Sequence, residues 1–162
     1  RQAHRLGRQI QTDAEEEDIM SDEASAALSA TPMFTAAIAV RWRDLDAFNH
    51  VNNSTYLTYL EEARLQWMLS MGDVFDPAST PVLAASELNY RRPIAWPAQV
   101  QVQLLCERLG NSSITIAHRI VDAGDPERLY CDGHVVMVWI DPQTGRSVPL
   151  PTSVRYAAGR PA

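Results

Sequence analysis

A run of apolar residues at helical spacing, between residues 56 and 71, places the strongest constraint on how this chain folds. The residues recur at intervals of four, three, four and four, which is typical of one helix face: Tyr56, Leu60, Ala63, Trp67 and Met71. Other apolar residues widen that face over most of the circumference: Leu57, Tyr59, Met68 and Leu69. Asn52 or Asn53 is a natural N-cap, and Gly72 ends the helix. Such a helix, about 28 Å long at 1.5 Å per residue, must be wrapped by other elements.

Stretches of alternating polar and apolar residues on both sides of this helix predict β-strands. Residues 34–43 alternate before it, and alternation resumes after it at 87–91, 99–106 and 114–120. The segment from Tyr130 to Ile140 is apolar on both faces over its second half, which predicts a central or interfacial strand. We therefore predict an α+β fold in which a curled antiparallel sheet wraps one long apolar helix.

The composition limits the number of domains and the class of partner. A chain of 162 residues fits one ordinary domain. Residues 1–33 contain few large apolar side chains, so we predict a disordered N-terminal tail before a folded domain at 34–158. The chain has 14 basic and 20 acidic residues, a net charge of −6, which argues against nucleic-acid binding. It leaves open a small anionic ligand held by a few local arginines.

Two further sequence features bear on the location of the protein. No apolar run approaches the roughly 18 residues that span a bilayer, so we expect no membrane partner. Cys106 and Cys131 lie far apart without metal-ligand spacing, and no secretory signal is visible. Reduced thiols in a cytoplasmic protein, with neither metal nor cofactor, are the expected arrangement.

The segment between the first strand and the helix concentrates groups that are suited to carbonyl chemistry. Residues 41–53 hold carboxylates, a histidine and three amides just before the helix N-terminus. The unpaired N–H groups at such a terminus stabilise developing negative charge, and a nearby carboxylate can act as nucleophile or general base. Asp46 and His50 are the parts available for this role. Asp and Asn in such a loop are also common as plain turn and cap residues.

The order of residues in this segment resembles a known family signature. The run Asp44-Leu45-Asp46-x-x-Asn49-His50-Val51-Asn52-Asn53, followed by Tyr56 and Glu61-Glu62-Ala63-Arg64, is similar to that of the hotdog-fold 4-hydroxybenzoyl-CoA thioesterase family. It is also similar to a segment of plant acyl-ACP thioesterases. The resemblance extends from about Phe34 to Tyr156 and implies a hotdog fold, an acyl-CoA or acyl-ACP substrate, and a homodimer or homotetramer.

The resemblance also implies roles for individual residues. Asp46 matches the catalytic aspartate, and Asn53 matches the helix start whose N–H polarises the thioester carbonyl. His50 matches the histidine of the plant branch, but Phe48 stands where that branch has a catalytic Asn. Another branch uses a helix carboxylate, and Glu61 is the matching position. A helical i,i+3 ion pair with Arg64 is an alternative role for Glu61.

Several other polar residues are candidates for binding coenzyme A or for structural roles. Arg91 and Arg92 suit the phosphates of coenzyme A, although they also fit exposed strand-end charges. Ser113 could hydrogen-bond the same phosphates or belong to an ordinary turn. His118 shares a face with three isoleucines, so a hydrogen-bonded core histidine is the preferred interpretation. His134 precedes an apolar strand and is interpreted as structural.

The predicted function is hydrolysis of acyl-CoA thioesters to free acid and coenzyme A. An acyl-thioester hydratase or dehydratase is one alternative, although the Phe-Pro-Gly stretch expected after its histidine is absent from the sequence. A non-catalytic acyl-CoA-binding module is the other. The sequence leaves open the acyl chain, the carrier, and the choice between nucleophilic and general-base chemistry.

Overall fold

The computed structural model describes residues 31–72 and 76–159 of the chain. The elements are, in chain order, β1 (Phe34–Ala39), α1 (Asn53–Ser70), β2 (Thr80–Tyr90), β3 (Gln99–Leu109), β4 (Ser113–Asp122), β5 (Leu129–Ile140) and α2 (Thr152–Gly159). Residues 1–30 of the predicted tail lie outside the described residues. Met33, which the sequence placed in that tail, is buried, and its N–H donates to the Leu104 carbonyl at 2.8 Å.

The five strands form one antiparallel sheet in the order β1-β3-β4-β5-β2. Alternate residues of β4 are buried in the core that also contains α1: Ile114, Ile116, His118 and Ile120. The predicted α+β fold with a curled antiparallel sheet and a long helix is therefore confirmed. β5 pairs with strands on both sides, as its apolar composition predicts, whereas β1 and β2 are the edge strands.

Helix α1 begins and ends where its capping residues predict. Asn52 is the N-cap, and its side-chain oxygen accepts from the Ser54 N–H at 2.9 Å. Gly72, with φ of +85°, follows the last turn in a conformation that glycine adopts without strain. The buried face consists of Tyr56, Tyr59, Leu60, Ala63 and Trp67. Three leucines remain exposed in the single chain: Leu57, Leu65 and Leu69. The sheet therefore covers only one side of the helix within one chain.

Three elements differ from the sequence prediction: β1, β2 and α2. β1 stops at Ala39, because residues 42–44 form a 3-10 turn that leaves Trp42 73% exposed. β2 starts at Thr80, well before the predicted alternation at 87–91, and carries a bulge near Leu83. Most of its residues are exposed, so no buried face imposes an alternating pattern.

Helix α2 was not predicted from the sequence. Pro151 stands just before its first residue and its carbonyl accepts from the Arg155 N–H at 3.1 Å, while Val154 is buried. The Arg155 guanidinium donates to the Asn111 carbonyl at 2.7 Å, which ties the helix to the β3–β4 turn. Among the helices of the described residues, none is long and apolar enough to cross a bilayer.

Candidate functional site

A cavity of about 480 Å³ lies at the N-terminal end of α1, and we call it the helix-end cavity. It brings together five of the residues singled out from the sequence: Asp46, His50, Asn53, Arg91 and Arg92. The rest of its lining is mostly apolar or aromatic: Phe48, Val51, Tyr56, Tyr90 and Pro93. Loop, helix and strand residues that are distant in sequence therefore meet at one opening.

A buried carboxylate holds the loop that carries Asp46. Asp44 is only 5% exposed and accepts from the Tyr59 hydroxyl at 2.7 Å and from the Arg41 guanidinium at 3.1 Å. Burial raises the pKa of Asp44, but hydrogen bonds from Arg41 and Tyr59 outweigh it and the net pKa is lowered. The Asp44 carbonyl also accepts from the Asn52 N–H at 2.9 Å. Asp44 thus joins the 3-10 turn to the helix start.

The sequence singled out Asp46 and did not assign this role to Asp44. A usable signal existed in the helix, where Tyr56 and Tyr59 lie three residues apart on the buried face. A buried tyrosine hydroxyl group usually has a hydrogen-bond partner, so these two tyrosines predict a polar acceptor close to the helix.

The Asp46 loop is folded around its own carboxylate. Oδ1 accepts from the Phe48 N–H at 2.8 Å and from the His50 N–H at 3.4 Å, and the Asp46 N–H donates to the His50 carbonyl. Asn49 turns the chain with φ of +58°, a conformation that asparagine tolerates. Within the described residues no donor reaches Oδ2 of Asp46, so one carboxylate oxygen stays available at the cavity.

The backbone donors at the start of α1 are nearly all occupied. The N–H groups of Val51 and Asn52 bond to the Ile94 and Asp44 carbonyls, and those of Ser54 and Thr55 bond to Asn52. The Asn53 N–H has no acceptor in the described part of the chain. A free donor at a helix N-terminus, where the helix dipole is positive, suits an oxygen atom that gains negative charge.

The end of β2 forms the opposite wall of the cavity. The Tyr90 hydroxyl donates to the Asn53 carbonyl at 3.1 Å, and the Tyr90 ring packs edge-on against Tyr56 at 5.1 Å between centroids. The Arg91 guanidinium forms a two-point ion pair with Asp132 at 2.8 and 3.0 Å. The Arg92 guanidinium has no hydrogen bond or ion pair among the described residues. Arg92 is therefore available to bind an anion, whereas Arg91 is already paired with Asp132.

Two predicted site residues lie elsewhere in the single chain. Glu61 is eight residues beyond Asn53, or about 12 Å along the helix at 1.5 Å per residue. It lines a separate cavity of about 340 Å³ between α1 and β2, which we call the helix-flank cavity, together with Arg64. Glu61 forms no ion pair with Arg64 within the described residues. Ser113 begins β4 and pairs with Val138, at the end of the sheet that lies away from Gln99.

His118 is buried as predicted, but the expected hydrogen bonding is wrong. Neither ring nitrogen makes a hydrogen bond of good geometry with any described residue. The pKa of His118 is lowered to about 4: burial is the largest cause and the charges of Arg64 and His134 add to it, whereas Asp132 and the Glu87 carbonyl favour protonation more weakly. His118 is therefore neutral near pH 7. Both cysteines are free, and Cys131 is the more buried one.

No group of three or more His, Cys, Asp or Glu side chains in residues 31–72 and 76–159 is placed to hold a metal ion. The groups at the helix-end cavity are a carboxylate, a free backbone donor and arginines. Such groups can polarise a carbonyl, attack it or activate water, and bind an anion.

Comparisons with known proteins find thioesterases among the proteins that this chain resembles. The long-chain acyl-CoA thioesterase FadM of Escherichia coli is 28% identical over 127 residues, which cover 73% of this chain and 91% of FadM. A candidate acyl-CoA thioesterase from Xanthomonas campestris is 52% identical, with a TM-score of 0.65, and the match covers 72% of this chain and 99% of that one. A Thermus thermophilus thioesterase, solved with coenzyme A and zinc, is 31% identical with a TM-score of 0.67, covering 82% and 98%.

A match to a family model assigns the chain to a protein family. The model of the Thioesterase-like superfamily matches residues 40–158, which include the Asp46 loop, helix α1 and all strands after β1. The prediction of a hotdog-fold thioesterase, a thioester hydrolase, is thereby confirmed. The chain belongs to the Thioesterase-like superfamily.

Proposed function

We propose that the protein hydrolyses acyl-CoA thioesters at the helix-end cavity. One observation carries the proposal: a carboxylate with an unbonded oxygen, Asp46, and an unbonded helix N-terminal donor, Asn53 N–H, line the same cavity. A thioester has little resonance stabilisation, so a carboxylate and a polarising donor are chemically sufficient. The relatives that act on acyl-CoA support the same substrate class.

In the proposed reaction the thioester carbonyl oxygen accepts from the Asn53 N–H. Asp46 then acts in one of two ways. As a nucleophile it attacks the carbonyl carbon, expels the thiolate of coenzyme A and forms a mixed anhydride that water hydrolyses. As a general base it takes a proton from water, which attacks the carbonyl and expels the thiolate. Both routes give the free acid and coenzyme A. His50 orients the loop, because its N–H donates to the Asp46 carboxylate and its carbonyl accepts from the Asp46 N–H.

The proposed roles of the remaining predicted residues depend on the substrate and on assembly. Arg92, with its guanidinium free, is better placed than Arg91 to meet the phosphates of coenzyme A. Glu61 and Ser113 join this cavity only where a second copy supplies them.

The edge strand β2 supports assembly into a homodimer. Its residues 82–87 are exposed, and an open edge of eleven residues is a surface on which a second strand can pair. The exposed leucines of α1 add apolar area nearby. The homodimer or homotetramer and the cytoplasmic location remain predictions.

A panel of acyl-CoA substrates, short to long and aromatic, tests the proposal by release of free thiol. We expect release of coenzyme A with at least one class of acyl group. A hydratase would change the acyl chain and leave the thioester intact, which mass spectrometry detects. Binding of acyl-CoA without thiol release across the panel would contradict hydrolysis and favour the binding-module alternative.

A further inference from the structure

Two tyrosines join the start of α1 to the end of β2 by a reciprocal pair of hydrogen bonds. Tyr90, at the end of β2, donates from its hydroxyl group to the Asn53 carbonyl at 3.1 Å. Tyr56, in the first turn of α1, donates to the Arg92 carbonyl at 3.4 Å. The two rings pack edge-on, with an angle of 83° between their planes. Each tyrosine therefore bonds to the backbone of the other segment, and we call the pair the tyrosine clasp.

The hydroxyl groups of the tyrosine clasp are donors near neutral pH. Burial raises the pKa of Tyr56 to about 12, and burial also raises the pKa of Tyr90, so both groups stay protonated. Tyr56 is buried, whereas Tyr90 is 48% exposed, and both line the helix-end cavity. Replacing Tyr90 by phenylalanine therefore removes a donor at the cavity and leaves the buried core as it is.

The tyrosine clasp ends on the backbone of two residues that the proposed reaction uses. Asn53 supplies the N–H for the thioester carbonyl oxygen, and Arg92 supplies the guanidinium for the carrier. The N–H groups of Asn52 and Ser54 are held by other hydrogen bonds, whereas Tyr90 holds Asn53 at its carbonyl. Helix ends fray, and a displacement of about 1 Å in an active site can cost roughly 10²-fold in rate. The contact from Tyr90 therefore acts where small movements matter most.

We infer that Tyr90 is a positioning residue, whose hydroxyl group keeps the Asn53 N–H aimed at the thioester carbonyl oxygen, and that Tyr56 holds the Arg92 backbone in place for the carrier. The inference rests on the proposed function, because it requires the carbonyl oxygen to accept from Asn53. Tyr90 transfers no proton. Its loss therefore weakens stabilisation of the transition state, in which that oxygen carries most charge, and has little effect on ground-state binding.

Tyr90→Phe removes the hydroxyl group and keeps the ring against Tyr56. We expect kcat for acyl-CoA hydrolysis to fall about 10-fold, less than the roughly 10²–10³ typical of losing an oxyanion donor outright, with KM and the pH–rate profile unchanged. Tyr130→Phe is the matched control, because it deletes a hydroxyl group that donates to Asp122 at 2.8 Å outside the helix-end cavity. It should retain the wild-type kcat. A wild-type kcat in Tyr90→Phe, or an equal loss in both variants, would overturn the inference.

The other half of the tyrosine clasp predicts a different kinetic change. Tyr56→Phe should raise KM for acyl-CoA about 3-fold and leave kcat nearly unchanged, because a hydrogen bond of 3.4 Å is weak and Arg92 contacts only the carrier. On acyl-pantetheine, which lacks the phosphates, Tyr56→Phe should have the wild-type KM, whereas Tyr90→Phe should keep its loss in kcat. The same change in both parameters for both variants would show a merely structural role and overturn the inference.

Two ligands that are not hydrolysed separate the tyrosine clasp from the proposed function. A trifluoromethyl-ketone analogue of acyl-CoA mimics the tetrahedral intermediate, whereas the matching thioether has no carbonyl oxygen. We expect Tyr90→Phe to bind the ketone about 10-fold more weakly than the wild type does, and the thioether equally well, in calorimetry. Equal affinities for the ketone, or equal weakening for both ligands, would overturn the inference. Thiol release by the wild type reports the proposed function by itself, so the two proposals fail in different measurements.

Discussion

Helix α1 lies beside two cavities that each contain a carboxylate, and the two cavities differ in what else they supply. At the helix-end cavity, Asp46 has a free oxygen and lies with an unbonded helix N-terminal donor. At the helix-flank cavity, Glu61 is exposed next to a half-buried arginine, about 12 Å along the helix from that donor. A carboxylate becomes useful for thioester hydrolysis where a group that polarises the carbonyl is close to it. Of these two cavities, only the helix-end cavity offers both among the described residues.

Neutralising each carboxylate separately tests which of the two cavities performs the hydrolysis. Asp46→Asn removes the negative charge while keeping the size of the side chain and its acceptor oxygen. We expect kcat for acyl-CoA hydrolysis to fall by roughly 10² or more, the scale of losing a general base, with KM little changed. Glu61→Gln should cost much less. Thiol release under saturating substrate measures both variants.

A matched control for Asp46→Asn exists elsewhere in the fold. Asp141 also accepts from the N–H two residues ahead, Gln143, at 2.8 Å, so Asp141→Asn perturbs a similar turn without a catalytic role. It should retain wild-type kcat. If Glu61→Gln abolishes turnover while Asp46→Asn stays active, the helix carboxylate performs the chemistry and Asp46 is a turn residue.

The buried ring of His118 makes the free energy of unfolding depend on pH, an effect that the exposed Glu61 at the helix flank does not share through burial. Above pH 6.5 its ring is neutral in both the folded and the unfolded chain. Between pH 6.5 and about 4 the unfolded chain binds a proton that the folded chain excludes, so stability decreases as pH falls. The full loss, reached near pH 4, is roughly 3 kcal/mol.

Urea unfolding at pH 7 and pH 4.5 measures this effect. His118→Gln should lose much of the decrease, whereas His134→Gln, at a half-buried position on the neighbouring strand, should keep most of it, because burial is the main cause of the low pKa of His118. The charged groups around His118 are Arg64 on α1 and His134 and Asp132 on β5. A wild-type pH slope in His118→Gln would show that another group titrates.

The parts of the fold that sequence patterns predicted are those with a strong local signal. Helix α1 has periodic apolar residues and clear caps, and β5 has an apolar run that demands burial. β2 and α2 were misjudged because β2 is mostly exposed and α2 buries a single valine within eight residues. Both elements therefore lack the periodic apolar residues by which strands and helices are recognised in a sequence.

The candidate site likewise combines residues that the sequence predicted with contacts that it did not. The motif predicted that Asp46, His50 and Asn53 lie together, because they share one loop and one helix start. The tertiary contacts of Asp44 with Tyr59 and of Tyr90 with Asn53 join residues 15 and 37 positions apart. The pairing of Arg91 with Asp132, 41 positions apart, likewise has no local signature. The Arg91–Asp132 pair depends on the register of β2 on β5, and the other two contacts depend on how α1 packs against the preceding turn and the end of β2. One sequence reveals neither.

Tyr59→Phe should loosen the loop at the helix-end cavity without changing a residue that lines the cavity. The change deletes a hydroxyl group that donates to the buried Asp44 carboxylate at 2.7 Å. We expect the free energy of unfolding to fall by about 1.5–3 kcal/mol, the usual worth of a hydrogen bond to a charged group. Wild-type stability of Tyr59→Phe in urea unfolding would show that Asp44 does not need Tyr59.

His50→Ala tests whether the histidine at the helix-end cavity acts chemically. The His50 contacts to Asp46 are made by its backbone, which the substitution keeps. We therefore expect kcat to fall by less than about 10-fold, below the range typical of a lost general base. The pH–rate profile of the variant is the measurement. A loss as large as that of Asp46→Asn would assign the proton transfer to His50.

Deleting the predicted tail should have the smallest effect and tests whether either cavity depends on residues before the first strand. Removal of residues 1–31 takes away few large apolar side chains, so activity and Tm should stay nearly unchanged. Removal of residues 1–33 is the informative partner, because it also deletes the buried Met33 and its hydrogen bond to Leu104. Burial of a methionine is worth about 1.5–3 kcal/mol, so this longer deletion should lower Tm by several degrees. A large loss of activity or Tm in the shorter deletion would show that residues before Pro32 contribute to the fold or to one of the cavities.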